Sequence, residues 1–285
     1  MAVTPLRLRA IVLNALIAAV TFVTLVPFVW MVTVSFMPRY ESSRYPPPFW
    51  PSRWTLENYH ELLTRRQFDG AWFDYRILPA MGNSLLVAAI STLLGLVLTV
   101  PAGYAFAKLR FRGRERLLKL LIASLVVPGQ VAMLPLFLIF RELGLVDSYA
   151  GVILPSLAGI FAVLFVRQAT LGIPDEMIDA ARLDGAGEVR IFVSIVLPLL
   201  MPITVTLALF MFLGSWNDFL WPLIVLSDQH HYTLPVAVAA ISREHAADGE
   251  LMMAAAVVTT LPVLMLFLAL QRYYIGGLLG GSIKG

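Results

Sequence analysis

Six stretches of this chain run long enough without an Asp, Glu, Lys or Arg to cross a lipid bilayer: residues 10–38, 77–107, 120–140, 148–166, 191–217 and 251–271. A crossing helix needs about 20 mostly apolar residues, because a rise of about 1.5 Å per residue must span about 30 Å of hydrocarbon. No water reaches the backbone there, so runs of this kind can only become helices. The fold class this predicts is all-α, a polytopic membrane protein with six transmembrane helices. Composition agrees, with 59% hydrophobic and 14% charged residues against about 25% charged in an ordinary soluble domain.

Arg7 and Arg9 precede the first run as they would in a secretion signal. Its 29 residues and the lack of a small-x-small cleavage pattern favour an uncleaved first helix. The window 229–242 is too short for a seventh crossing and carries His230 and His231, which predicts an interfacial or re-entrant segment.

An even number of crossings puts both termini in one compartment, together with segments 108–119 and 167–190. Lys and Arg number thirteen on that side and eight on the other. Basic loops stay in the cytoplasm, so both termini are expected there. The most one-sided piece is Lys108, Arg110, Arg112, Arg114, Arg116 and Lys119, opposed by Glu115. The net charge of +3 follows from this bias and from attraction to anionic membrane lipid, and it needs no nucleic acid as partner. With no cysteine, thiol chemistry, thiolate metal sites and disulfides are excluded.

Pro46, Pro47 and Pro48 forbid a regular helix in the external segment and favour an extended strut, followed by a helix-like stretch from Thr55 to Leu63. This arm predicts three parts: 1–76, the N-terminal tail, first helix and arm; 77–275, a core of five transmembrane helices; and 276–285, a C-terminal cytoplasmic tail. The spans also hold Pro79, Pro101, Gly103, Pro128, Gly129, Pro135, Pro155 and Gly159. Helix-disturbing residues at membrane depth require packed neighbours or a water-lined cavity.

The segment 167–190 carries the most information. Pro174 suits the first helical position, with Asp175 and Glu176 where acids favour a helix start. Residues 174–183 are expected to form a short helix, broken at Asp184-Gly185-Ala186-Gly187 and restarted from Glu188 to Phe192. Asp175, Asp179 and Arg182 share one face of it, while Ala180 and Ala181 are small enough for a partner backbone to approach. An interfacial helix would carry Lys and Arg on its polar face, whereas this one carries acids. The pattern therefore favours docking onto a protein.

Asp179-Ala180-Ala181-Arg182-Leu183-Asp184-Gly185-Ala186, with Phe192, Ile195 and Leu197-Pro198 beyond it, resembles the EAA loop of bacterial ABC importer permeases. The form in the carbohydrate-uptake branch is Glu-Ala-Ala-x-x-Asp-Gly-Ala. Asp179 replaces the glutamate, keeping the charge and shortening its reach by one methylene. Asn83-Ser84-Leu85, Gly103-Tyr104-Ala105-Phe106-Ala107, Trp216-Asn217-Asp218-Phe219, Trp221-Pro222-Leu223, and Gln271-Arg272-Tyr273-Tyr274 with Lys284-Gly285 resemble the same branch. The resemblance covers about 77–285 and is nearest to the smaller permease subunit of maltose-type importers.

The resemblance implies a type I ABC importer permease (MetI-like) core in a bacterial cytoplasmic (inner) membrane. It implies a heterodimer with a second, homologous permease, two cytoplasmic ATPase subunits, an external solute-binding protein and a sugar substrate. Asp179, Ala180, Ala181, Asp184, Gly185 and Ala186 would dock the ATPase. ATP and magnesium would belong to those partners, since this sequence contains no Gly-x-x-x-x-Gly-Lys-Ser/Thr stretch and needs no cofactor of its own.

Asp218 interrupts an otherwise uncharged stretch, so Trp216, Asn217 and Asp218 are candidates for the translocation pathway. Trp216 and Trp221 fit a membrane-interface belt better than a sugar platform. His230, His231 and His245 lack the spacing of a zinc enzyme, and no metal site is expected. The alternative function is an ion-gradient-driven secondary transporter, which needs paired intramembrane charges that this chain does not offer. An intramembrane enzyme would need a nucleophile and base, and no span supplies them.

Overall fold

Long apolar stretches set where the helices run, and proline or glycine marks some of the breaks between them. The structure, a computed structural model, describes residues 5–64, 66–68, 71–73, 77–157, 159–244 and 248–280. His245, Lys284 and Gly285 lie outside the described residues.

The first helix, α1 (Pro5–Ser35), exposes apolar side chains on every side, as a helix bathed in lipid should. After the proline strut comes α2 (Glu57–Leu63), then a two-stranded antiparallel pair, β1 (Arg66–Phe68) and β2 (Ala71–Phe73), with Gln67 opposite Trp72. The second span is α3 (Ile77–Lys108), continuous through Pro101.

The third and fourth runs break. Helix α4 (Arg114–Ser124) meets α5 (Gly129–Glu142) at 101°. Pro128 sits at the corner: it has no N–H to continue α4, and its extended ψ makes it the residue from which α5 sets off. Helix α6 (Tyr149–Ser156) meets α7 (Ile160–Leu171) at 41° just after Pro155. Among the described residues four helices are long and apolar enough to cross alone, and the number reaches the six expected if each bent pair is one span.

Helix α7 continues to Leu171, so the first residues of the predicted 167–190 loop belong to it. Helices α8 (Asp175–Leu183) and α9 (Glu188–Ile191) follow. Phe192–Val196 then forms a π-helical turn in which the Leu197 N–H reaches back to Phe192 O. This wider turn sits just before Pro198 in α10 (Leu197–Trp216). Last come α11 (Leu220–Val225), α12 (Leu234–Glu244) and α13 (Gly249–Gly280). At 11 residues α12 is too short to cross. Residues 276–280, expected as tail, continue α13.

The chain divides into two packed units, Met1–Ile77 with Ala237–Pro262 and Leu78–Val236 with Val263–Gly285. In the first, Arg39 pairs with Glu61 and, at 3.6 Å, with Asp248, both buried carboxylates. Asn58 Nδ2 donates to Ser35 O and Met37 O, both at 2.9 Å, tying α2 to the end of α1. In the second unit one apolar core joins Val100 and Tyr104 of α3, Val166 of α7, Ile178 of α8, Ile191 of α9 and Leu207 of α10. A second core gathers Val87, Phe140, Val152, Trp221 and Val225.

Candidate functional site

The segment between α7 and α10 is a compact helix-turn-helix knob. Pro174 caps α8 from outside with extended ψ, so the helix starts one residue later than the sequence suggests. At the other end the chain turns through Gly185 at φ +82°, a conformation only glycine enters freely. The Gly185 N–H donates to Arg182 O and the Ala186 N–H to Ala181 O, each at 3.0 Å. This double closure satisfies the last carbonyls of α8 and fixes the direction of the exit. Ile178 and Ile191 point inward and are almost fully buried, rooting both knob helices in the core.

Asp179, Ala180, Asp184 and Gly185 are exposed, while Ala181 and Ala186 are half-buried and pack on the core. The predicted docking residues therefore divide into an outer set that a partner can touch and an inner pair that seats the turn. The sequence reading missed two further features of the outer surface: Leu183 is 90% exposed and Val189 78% exposed, flanking the turn. Apolar side chains this open on an otherwise charged knob suit burial against another protein.

Charged groups hold the knob together and hold it to α3. Arg182 donates to Asp179 Oδ1 and to Glu188 Oε1, both at 2.9 Å, bridging α8 to α9. Hydrogen bonding to Glu188, then to Asp179, raises the Arg182 pKa further, so it stays charged. Tyr104 donates its hydroxyl to Glu188 Oε2 at 2.7 Å. Lys108 donates to Ile173 O and to Asp175 Oδ1, both at 2.6 Å. Its ammonium holds the Asp175 carboxyl below the usual carboxylate range. Beside these groups lies a cleft of about 860 Å³, bordered by Arg110, Arg114, Asp179 and Arg182.

The pathway candidates are placed differently. Trp216 is 1% exposed and stacks on Phe212, with ring centroids 5.9 Å apart. Trp221 is also buried, donating its N–H to Gly151 O at 2.9 Å. Neither indole sits in the lipid-interface belt that the sequence favoured; both fill interior packing instead. Asn217 is exposed and donates to Leu213 O at 2.9 Å, and Asp218 is half-buried, taking backbone hydrogen bonds from Phe219 and Trp221. Just before them in sequence, Ser215 borders a recess of about 260 Å³ with Ser91, Ser156, Phe161 and Phe210. The Ser91 hydroxyl is buried without a hydrogen-bond partner among the described residues.

His231 comes near two carboxylates, Asp147 and Asp228, an arrangement the sequence did not suggest. The Asp147 carboxylate already accepts the backbone N–H groups of Ser227 and Asp228, each at 2.9 Å. Those bonds, led by the one from Asp228, together with His231 hold its pKa below the usual range. The group acts as a clasp on the 227–228 turn.

Fold and knob together define a class: a multi-span α-helical membrane protein with a compact helix-turn-helix element between two of its spans. Over residues 95–278 the chain matches the binding-protein-dependent transport system inner membrane component family, and it belongs to that family. It is similar to the arabinooligosaccharides transport system permease protein AraQ of Halalkalibacterium halodurans, 37% identical over 270 residues that cover 94% of each chain. It is also similar to the melibiose/raffinose/stachyose import permease protein MelC of Bacillus subtilis, 31% identical over 280 residues and 96% of each chain. Among solved structures, a bacterial ABC transporter involved in the import of the acidic polysaccharide alginate shares the fold, with TM-score 0.80 over 96% of this chain and 99% of that one, at 22% identity. The architecture is the MetI-like permease fold of ABC importers.

Proposed function

We propose that this chain is one permease subunit of an ATP-driven sugar or oligosaccharide importer, and that α8, the Gly185 turn and α9 dock a separate ATPase subunit. The observation that carries the docking assignment is the knob itself. It is rigidly closed at Gly185, rooted by Ile178 and Ile191, and presents Asp179, Asp184, Leu183 and Val189 outward. Exposed apolar side chains beside a few directed charges supply, once a partner covers them, the apolar core and polar rim of a specific protein interface.

The sugar class rests on what the relatives' names say they carry. In this reading a second, homologous permease completes the pathway, two ATPases bind ATP and magnesium, and an external binding protein delivers the sugar. Both termini and the knob face the cytoplasm. Asn217, Asp218 and the serine-lined recess at Ser91 and Ser215 are the groups through which the pathway would be lined; Trp216 would support it from behind.

An ion-gradient transporter would need charges paired inside the spans, and the six uncharged runs hold none. The test is purification in mild detergent together with transport assays. The wild-type chain should bring down two ATPase copies and a second permease, and uptake should stop on ATP depletion while surviving collapse of the ion gradient. Gly185→Trp should insert in the membrane yet lose both the ATPase and transport. Uptake by the isolated chain, or an unimpaired Gly185→Trp, would overturn the assignment.

A further inference from the structure

The knob is continuous in sequence with two spans and with no others. Residues 172–174 join α8 to α7, and the π-helical turn joins α9 to α10. Any displacement of the knob must therefore carry α7 and α10 with it. Helix α3 has no such connection, and what ties it to the knob is apolar packing and two polar grips.

Those grips have a regular design. Tyr104 and Lys108 lie four residues apart, one helical turn, so both face the knob from the same side of α3. Lys108 holds the first residue of α8, Asp175, and the Ile173 carbonyl before it. Tyr104 holds the first residue of α9, Glu188, which Arg182 ties back to the end of α8. One turn of α3 thus grasps the start of each knob helix.

The Lys108 side chain is only 6% exposed. Pulling Asp175 away would break a directed, charge-assisted hydrogen bond, whereas apolar surfaces slip past one another with no preferred direction. We infer that Tyr104 and Lys108 are positioning residues that transmit movement of the docked knob to the span α3, so that α3 follows α7 and α10 when the ATPases close.

This inference rests on the knob being the ATPase dock, and the experiment separates the two. Reconstituted complexes carrying Lys108→Met or Tyr104→Phe are compared with wild type for ATPase copies retained and for sugar moved per ATP hydrolysed. The expected result is full ATPase retention with the transport-to-hydrolysis ratio lowered by roughly fivefold or more, as befits two sites coupled through a mechanical link. Lys108→Arg, which keeps charge and donors, should restore the ratio. A merely structural role would lower the amount of complex and leave the ratio alone. An unchanged ratio in both variants, or loss of the ATPase from either, overturns the transmission role. Failure of the docking reading shows separately, as a Gly185→Trp complex that keeps its ATPases.

Discussion

The Cβ that Gly103 lacks would fall 2.6 Å from the Cβ of Val166 and 2.9 Å from the backbone nitrogen of Arg167. Helices α3 and α7 meet there with one backbone against the other. Neither obstacle is the free end of a flexible side chain, so any substituent must push the helices apart. Gly103→Ala should cost about 1–3 kcal/mol by overpacking, and Gly103→Leu more. Thermal unfolding in detergent should show the order wild type, Ala, Leu; equal melting temperatures would mean that the contact is looser than it looks. Because Tyr104 is the next residue, Gly103→Leu should also weaken its grip on Glu188.

At Gly185 the situation is reversed, since an added Cβ would meet nothing within 4 Å while φ stays at +82°. The penalty there is backbone strain alone, about 1–2 kcal/mol for alanine. Asparagine tolerates the left-handed region better and should recover much of it. Hydrogen exchange at the Gly185 and Ala186 amides, which close the turn onto Arg182 O and Ala181 O, should quicken in Gly185→Ala and quicken less in Gly185→Asn.

Asp175 gives the knob a defined acid sensitivity. Its carboxyl is held below the ordinary aspartate value by the hydrogen bond from Lys108, aided by that residue's charge. A depressed carboxylate stabilises the fold fully above the unfolded value, about 3.9 for aspartate, and loses that contribution as the pH falls through the folded value. The attachment should therefore be unchanged through the neutral range and weaken only in strong acid. Carbon NMR of the Asp175 carboxyl should show its midpoint rising toward the ordinary value in Lys108→Met; an unmoved midpoint would show that the pair is not formed in solution.

Much of this was open to a reader of the sequence. Runs without charge located the four long crossing helices and the two bent pairs, and the knob's helix, turn and helix could be read from Pro174, Gly185 and Glu188 because those signals act within a few residues. Long-range pairings were hidden. Lys108 counts toward the basic side of the membrane in any loop census, and nothing local says that its amine folds inward onto Asp175, 67 residues away. The corners at Pro128 and after Pro155 were flagged only as disturbances, since proline alone does not decide between a kink and a break. Trp216 and Trp221 misled for a related reason: an indole near a span end suits a lipid belt or an interior equally, and only its neighbours Phe212 and Gly151 decide.

Asn83 offers the last test, because its amide is used at both ends. Its Nδ2 donates to His230 O at 2.8 Å and to Tyr232 O at 3.0 Å, while Oδ1 accepts the Tyr149 hydroxyl at 2.8 Å. Two carbonyls on one side and a hydroxyl on the other fix which end is nitrogen. One turn of α3 thereby ties down both α6 and the 228–233 segment, and the neighbouring Ser84 adds a bond from Leu234 N at 2.7 Å. Asn83→Asp is nearly isosteric and keeps the acceptor for Tyr149, yet it turns an oxygen toward the two carbonyls. Loss of two donated bonds should cost about 1–3 kcal/mol, and repulsion should loosen the segment specifically. Limited proteolysis between Ser227 and Thr233 should therefore accelerate in Asn83→Asp more than in Asn83→Ala, where the gap can admit water. Faster cleavage of Asn83→Ala than of Asn83→Asp, which keeps the acceptor for Tyr149, would show that the Tyr149 contact, rather than the paired carbonyls, holds the segment in place.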